Sequence, residues 1–357
     1  MMSERIYLNN DWKFAEQFEA SMTEAAYDDS TMQNVRLPHT CKETPLHYFD
    51  EHCYQMISGY RRVIEAEKAW EGKKILLTID GAAHDSEVFL NGEKVGEHHC
   101  GYTAFTMDIS GVLRYGEKNI LAVKVDSRED LNIPPFGYVI DYMTYGGIYR
   151  DVTLHIVPAE HFALPANGAP ALKVTPIVTD LSAKTSEVTV EAAVVGAQTV
   201  TFALEGQTLT APVEKGTAKV VFTLNNAHLW DGVDDPFLYT VSAKLDNGEE
   251  TSARFGCRKF EIDPQKGFHL NGRSYPLRGV SRHQDRKGMG NALTKEMMEE
   301  DISIILEMGA NTIRLAHYQH APYFYDLCDE KGLVIWAEIP YITMHMTNGR
   351  ANTLTQM

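Results

Sequence analysis

Asn311-Thr312-Ile313-Arg314-Leu315, a helical stretch from Ala321 to Lys331, then Leu333-Val334-Ile335-Trp336-Ala337: this strand–helix–strand succession decides how the chain reads. Gly332 stops the helix between the two runs. Upstream, Pro276-Leu277-Arg278-Gly279-Val280 reads as a buried strand. Between it and Asn311, Thr294 caps a helix with acidic residues in its first turns. Met298, Ile302 and Ile305 fall on one face of that helix at i, i+4 and i+7, and Gly309 ends it. Strands alternating with helices at this spacing predict a parallel sheet with crossover helices. Three strands do not close a barrel. An eightfold barrel takes about 250 residues, and fewer than 100 follow residue 264. Residues 264–357 are therefore expected to form the first part of a (β/α)8 TIM barrel. Leu354-Thr355-Gln356-Met357 lies inside what could be a further helix, and the expectation is a truncated chain.

Working outward toward the N-terminus, the pattern turns to β. Residues 1–158 hold alternating runs such as Lys74–Ile79 and Ile120–Val125 bounded by turn residues. Asn91-Gly92 stands between Glu87-Val88-Phe89-Leu90 and Lys94-Val95 as a two-residue hairpin signal. Many short strands without helices predict a jelly-roll sandwich. Leu164-Pro165-Ala166-Asn167-Gly168-Ala169-Pro170 reads as a linker. Residues 159–263 then carry Val- and Thr-rich runs, about seven strands, fitting an immunoglobulin-like β-sandwich. The fold class is multidomain and mainly β.

Asp plus Glu number 49 against 33 Lys plus Arg, a formal net charge of -16. Such a surface repels phosphate backbones and anionic lipid, and no basic patch interleaves with aromatics, so nucleic acid is excluded as a partner. No apolar run approaches the roughly 20 residues of a membrane span, and the first residues lead into a strand, not an apolar leader. The five cysteines, Cys41, Cys53, Cys100, Cys257 and Cys328, are odd in number and widely spaced. Reduced thiols in a cytoplasmic protein are expected. The clusters around His39 to Cys53 and His98 to Cys100 lack the paired spacing of a structural zinc site.

A series of motifs resembles glycoside hydrolase family 2, its β-galactosidases in particular. Asn9-Asn10-Asp11-Trp12-Lys13-Phe14, Leu37-Pro38-His39-Thr40 and Phe89-Leu90-Asn91-Gly92 are similar to its sugar-binding domain, closed by Tyr145-Gly146-Gly147-Ile148-Tyr149-Arg150-Asp151-Val152. Leu277 to Asp285, Asn311 to Tyr318 and Trp336-Ala337-Glu338-Ile339-Pro340 are similar to the family's first three barrel strands. The resemblance implies cleavage of terminal β-galactosides with retention. One carboxylic acid protonates the leaving oxygen, and a second about 5 Å away attacks the anomeric carbon. In the family both are glutamates on later strands, the acid/base in an Asn-Glu pair. No Asn-Glu dipeptide occurs in these 357 residues, and the Asp-Glu pairs at Glu51 and Glu330 fall in a loop and a helix. The expectation is an N-terminal fragment of an enzyme, inactive alone.

What the resemblance carries over is pocket wall. Barrel sites lie at the carboxyl ends of the strands. His317 matches a histidine that contacts the sugar in the transition state, a role that suits a neutral imidazole donor. A histidine satisfied by neighbouring backbone is the plainer alternative. Arg282, His283 and Asp285 follow the first strand, either as substrate contacts or as a supporting rim. Glu338 ends the third as a substrate contact or as a carboxylate holding a cationic or hydroxyl neighbour, and His345 lies near a further sugar-contacting histidine. Asp141 matches an aspartate that reaches from the first domain to bind a sugar hydroxyl and a sodium ion. No cofactor is required in this part of the chain; sodium and magnesium are implied for the full-length enzyme, as is a homo-oligomer. Tyr102, Phe105, Phe136 and Tyr138 read as packing before sugar platform. Other sugars, glucuronic acid or mannose, remain open, as does a non-catalytic carbohydrate-binding module. An unfinished barrel would expose apolar strand edges, which a selected module avoids.

Overall fold

The computed structural model describes residues 3–44, 50–134, 140 and 142–341. The first domain packs two antiparallel sheets face to face. One runs in the order Gln33–Val35, Trp12–Ala15, Ile57–Glu65, Lys118–Asp126, Asp85–Leu90, Glu93–His98. The other runs Glu4–Tyr7, Val152–Val157, Lys74–Ile79, Phe105–Asp108. Period-two alternation sends Val88 and Leu90, Ile75 and Leu77, Val123 and Val125 into one core with Trp12 and Tyr60. The expected hairpin forms at Asn91-Gly92, whose φ of 53° and 88° are the two positive values its tight turn requires.

The closing segment of this domain lies flat on an earlier turn. His39 N donates to Ile148 O and Cys41 N to Gly146 O, each at 2.9 Å. Gly147 has φ of 109°, and a Cβ there would stand 2.6 Å from the His39 carbonyl, so no larger residue fits. This close approach fixes where Tyr149 and Arg150 leave the sheet.

The second domain is a sandwich with its own core around Val188, Val190, Phe202, Phe222 and Val241. One sheet is built on Thr185–Val195, flanked by His161–Phe162, Leu172–Asp180 and Thr217–Leu224. The other runs Gln207–Pro212, Thr199–Leu204, Tyr239–Leu245, Glu250–Phe255. Residues 163–171 hold no strand, but they follow His161–Phe162, which already pair with Val194–Val195, so this stretch joins two strands of the second sandwich.

A small antiparallel sheet (Phe260–Asp263, Gly267–Leu270, Arg273–Ser274) leads into three parallel barrel strands, Gly279–Arg282, Thr312–Leu315 and Val334–Ala337, adjacent in that order. Two crossover helices, Lys295–Glu307 and Pro322–Lys331, cover one face. Thr294 accepts from Met297 N as the cap, Met298, Ile302 and Ile305 are buried, and Gly309 turns out at φ 78°. The second helix ends on left-handed Gly332, where a Cβ would lie 2.1 Å from the Gly232 carbonyl of the second domain. Trp230 Nε1 donates across the same seam to Asp329 O at 2.8 Å. One expectation is corrected. The first barrel strand begins at Gly279 instead of covering 276–280, and Leu277 is 41% exposed. That strand is an edge of the sheet, so no neighbour covers it among the described residues.

Candidate functional site

The barrel strands alternate between two faces. Ile313 and Leu315 are fully buried toward the helices, so Arg314 points to the other side, the future barrel interior, with Ser281 and Trp336 beside it in register. Arg314 is held there by Glu338. Its Nε donates to Oε1 at 2.6 Å and Nη2 to Oε2 at 3.2 Å, a two-pronged ion pair. His317 closes the triangle, with Nδ1 3.0 Å from Glu338 Oε2 and 2.9 Å from Arg314 Nη2. Carboxylate and guanidinium thus address one ring nitrogen. Donation from Nδ1–H to Glu338 leaves Nε2 as an acceptor, and donation from Arg314 to a bare Nδ1 puts the proton on Nε2. Either way Nε2, bonded by no described residue, is the atom that can meet a hydroxyl.

Burial pushes the Glu338 carboxyl up, but the hydrogen bonds from Arg314 and then His317 outweigh it and hold it below its ordinary value. It is an anion at neutral pH, which suits a supporting carboxylate and not a proton donor.

His283 stands beside this group. Its ring centroid is 5.3 Å from that of His317, and a 3.1 Å hydrogen bond joins its Nδ1 to the Tyr318 hydroxyl. Tyr142 of the first domain lies over both imidazoles, 5.0 Å from His283 and 5.5 Å from His317. Asp285 is exposed and accepts from the Tyr145 hydroxyl at 3.1 Å. Arg282 does not join them. It is 8% exposed and turned into the helix layer, where Nε and Nη2 reach Asp301 Oδ2 at 2.9 and 2.6 Å and Nη1 meets His320 Nδ1 at 3.0 Å. Its guanidinium sits 3.9 Å above the Phe324 ring. The substrate-contact reading of Arg282 does not survive this geometry, because strand alternation sends it to the face opposite Arg314. Asp141 and His345 lie outside the described residues, as do Phe136 and Tyr138. Tyr102 and Phe105 are buried, the packing role expected of them.

Two participants were not singled out from sequence. Arg314 is an arginine between two apolar residues of a short strand, and that alternation was the signal. Tyr142 had no signal beyond its neighbour Asp141. Among the described residues no group of three His, Cys, Asp or Glu side chains could hold a metal ion, and Asp141, the implied sodium ligand, lies outside them.

The chain thus carries two β-sandwiches in series and then a polar cluster at the ends of three parallel strands. Family models match in the same order: glycosyl hydrolases family 2, sugar binding domain, over residues 7–158; glycosyl hydrolases family 2 over 166–258; and glycosyl hydrolases family 2, TIM barrel domain, over 261–356. The chain belongs to glycosyl hydrolase family 2. It is 34% identical over 355 residues to a beta-glucuronidase of Bacteroides fragilis, covering 94% of this chain and 50% of that protein. It is 33% identical over 353 residues to a beta-galactosidase of Thermoanaerobacter pseudethanolicus, covering 94% and 46%. Among solved structures, Bacteroides uniformis beta-glucuronidase 2, covalently bound to cyclophellitol-6-carboxylate aziridine, superposes with a TM-score of 0.84 at 31% identity, covering 99% of this chain and 44% of that one. The chain spans about half the length of the curated relatives it matches.

Proposed function

We propose that the whole protein is a retaining β-glycosidase acting on terminal β-galactosides. These 357 residues supply one wall of its sugar pocket, and residues beyond them supply the acid/base and the nucleophile. The carrying observation is the Arg314–Glu338–His317 triangle at the strand ends, which presents one imidazole nitrogen toward the mouth. Relatives named beta-galactosidase at 33% and 35% identity support the galactoside reading.

A second reading, a β-glucuronide, has its own support. A relative named beta-glucuronidase is 34% identical, and a fixed guanidinium stands beside His317, a group suited to a sugar carboxylate. Asp141 as hydroxyl and sodium ligand, His345 as a further contact, magnesium in the full-length enzyme, a homo-oligomer and a cytoplasmic location complete the proposal on the family resemblance. The test is a pair of nitrophenyl substrates, β-galactoside and β-glucuronide, given to the extended product of the gene. A galactoside kcat/KM at least tenfold the larger supports the first reading. The reverse ratio replaces it with the second, and no turnover of either rejects both.

A further inference from the structure

Arg150 belongs to the first domain, yet its side chain ends inside the barrel segment. It is 8% exposed. Nη2 donates to Gln284 Oε1 at 2.8 Å and to the Gln319 carbonyl at 2.7 Å. Nη1 donates back to the Tyr102 carbonyl at 3.0 Å and the Asp80 carbonyl at 3.3 Å. Gln284 follows His283 directly, and Gln319 stands two residues after His317. One guanidinium therefore ties together the two strand-end loops that present the pocket imidazoles, and ties both to the first domain. Its base is itself braced, because Tyr102 stacks on Tyr318 and the Tyr149 hydroxyl donates to Gly101 O at 2.6 Å. Only a planar fork of donors spans these four acceptors; an ammonium is a point charge on a flexible stem.

We infer that Arg150 is a positioning residue for the sugar pocket, setting the spacing and relative tilt of His283 and His317 through Gln284 and Gln319. The inference rests on reading those imidazoles as pocket wall, and it assigns a share of pocket geometry to a domain that carries no catalytic carboxylate. A residue serving only to glue two domains would lower stability without altering the imidazoles. A positioning residue moves them, and misplacing a contact by about 1 Å costs on the order of 100-fold in rate.

The test uses the 357-residue chain with histidines labelled at Cε1, the His283 and His317 signals being assigned by H283Q and H317Q. In Arg150→Met both signals are expected to shift or broaden, while His228, paired with Asp235 in the second domain, stays in place. Arg150→Lys is expected to restore neither. Unmoved His283 and His317 signals in folded R150M would overturn the inference. If R150M does not fold, Gln284→Met removes only the side-chain acceptor, and an unmoved His283 signal there overturns it equally. No substrate enters this readout, so a failed glycosidase reading and a failed positioning reading are told apart. In the extended protein, R150M is expected to lower kcat/KM about 100-fold while KM changes less than kcat.

Discussion

Tyr102 of the first domain lies flat on Tyr318 of the barrel segment, ring centroids 4.1 Å apart and planes 5° from parallel. The pair is buried with Cys100 and backed by Tyr142, so the barrel segment leans on an aromatic platform two hundred residues upstream. Tyr102→Ala is expected to cost about 3–5 kcal/mol, as for other buried aromatics cut to alanine, and to speed amide exchange at residues 316–320. Tyr102→Phe keeps the stack and is expected to cost about 1 kcal/mol. Hydrogen exchange on both variants checks this; equal exchange in Y102A and the parent chain would contradict it.

Acid is expected to weaken the first domain. Burial holds His39, His84 and His155 down to about 4 from 6.5, and burial with the neighbouring His99 does the same to His98. The folded chain therefore binds fewer protons than the unfolded chain between those values, and stability rises with pH across that window. For the fully enclosed His84 and His98, each contributes a loss of roughly 3 kcal/mol by the acid end. The melting temperature should fall steeply from pH 6.5 toward pH 4 and stay level from pH 7 to 8. A flat profile across the acid window would contradict the burial of these rings.

How much of this was readable in advance depends on local signals. Thr294, Gly309 and Gly332 announce helix ends by capping chemistry, and the Asn91-Gly92 hairpin by its turn, so these elements stand where the sequence placed them. The substrate-contact alternative for Arg282 falls because motif position says a residue is at a strand end but not which face it takes. Leu315 and Ile313, fully buried, give the phase, and phase sends Arg282 to Asp301 and Arg314 to Glu338. The Arg150 fork had no sequence signal, since its acceptors lie 134 and 169 residues away.

Glu338→Gln keeps shape and removes charge. It strips the charge-assisted bonds to Arg314 and His317, worth about 1.5–3 kcal/mol for a charged partner. The extended protein should lose about 10- to 100-fold in kcat/KM. Because the Glu338 carboxyl is held below its ordinary value, its contribution is complete above about pH 4.3 and fades only as pH falls through the lower folded value. Kinetics of E338Q at pH 5, 6 and 7 check both points; a defect that vanishes at any of them would contradict the anionic role.

Of the four tryptophans, Trp12, Trp70 and Trp230 are buried, while Trp336 is 67% exposed on the inner sheet face. Acrylamide should quench about a quarter of the fluorescence of this chain readily, and Trp336→Phe should remove that fraction. If a completed barrel covers this face in the extended protein, as the proposal requires, the readily quenched fraction should disappear there. Equal quenching in both would contradict a barrel interior at Trp336.

The most direct measurement is hydrolysis of a nitrophenyl β-galactoside and a nitrophenyl β-glucuronide by this 357-residue chain and by the extended product of its gene, side by side. The expected result is turnover by the extended product alone, with these residues forming pocket wall around His317 and the acting carboxylates elsewhere. Turnover by the short chain itself would contradict that division and make Glu338 and Asp285 the carboxylates to mutate next.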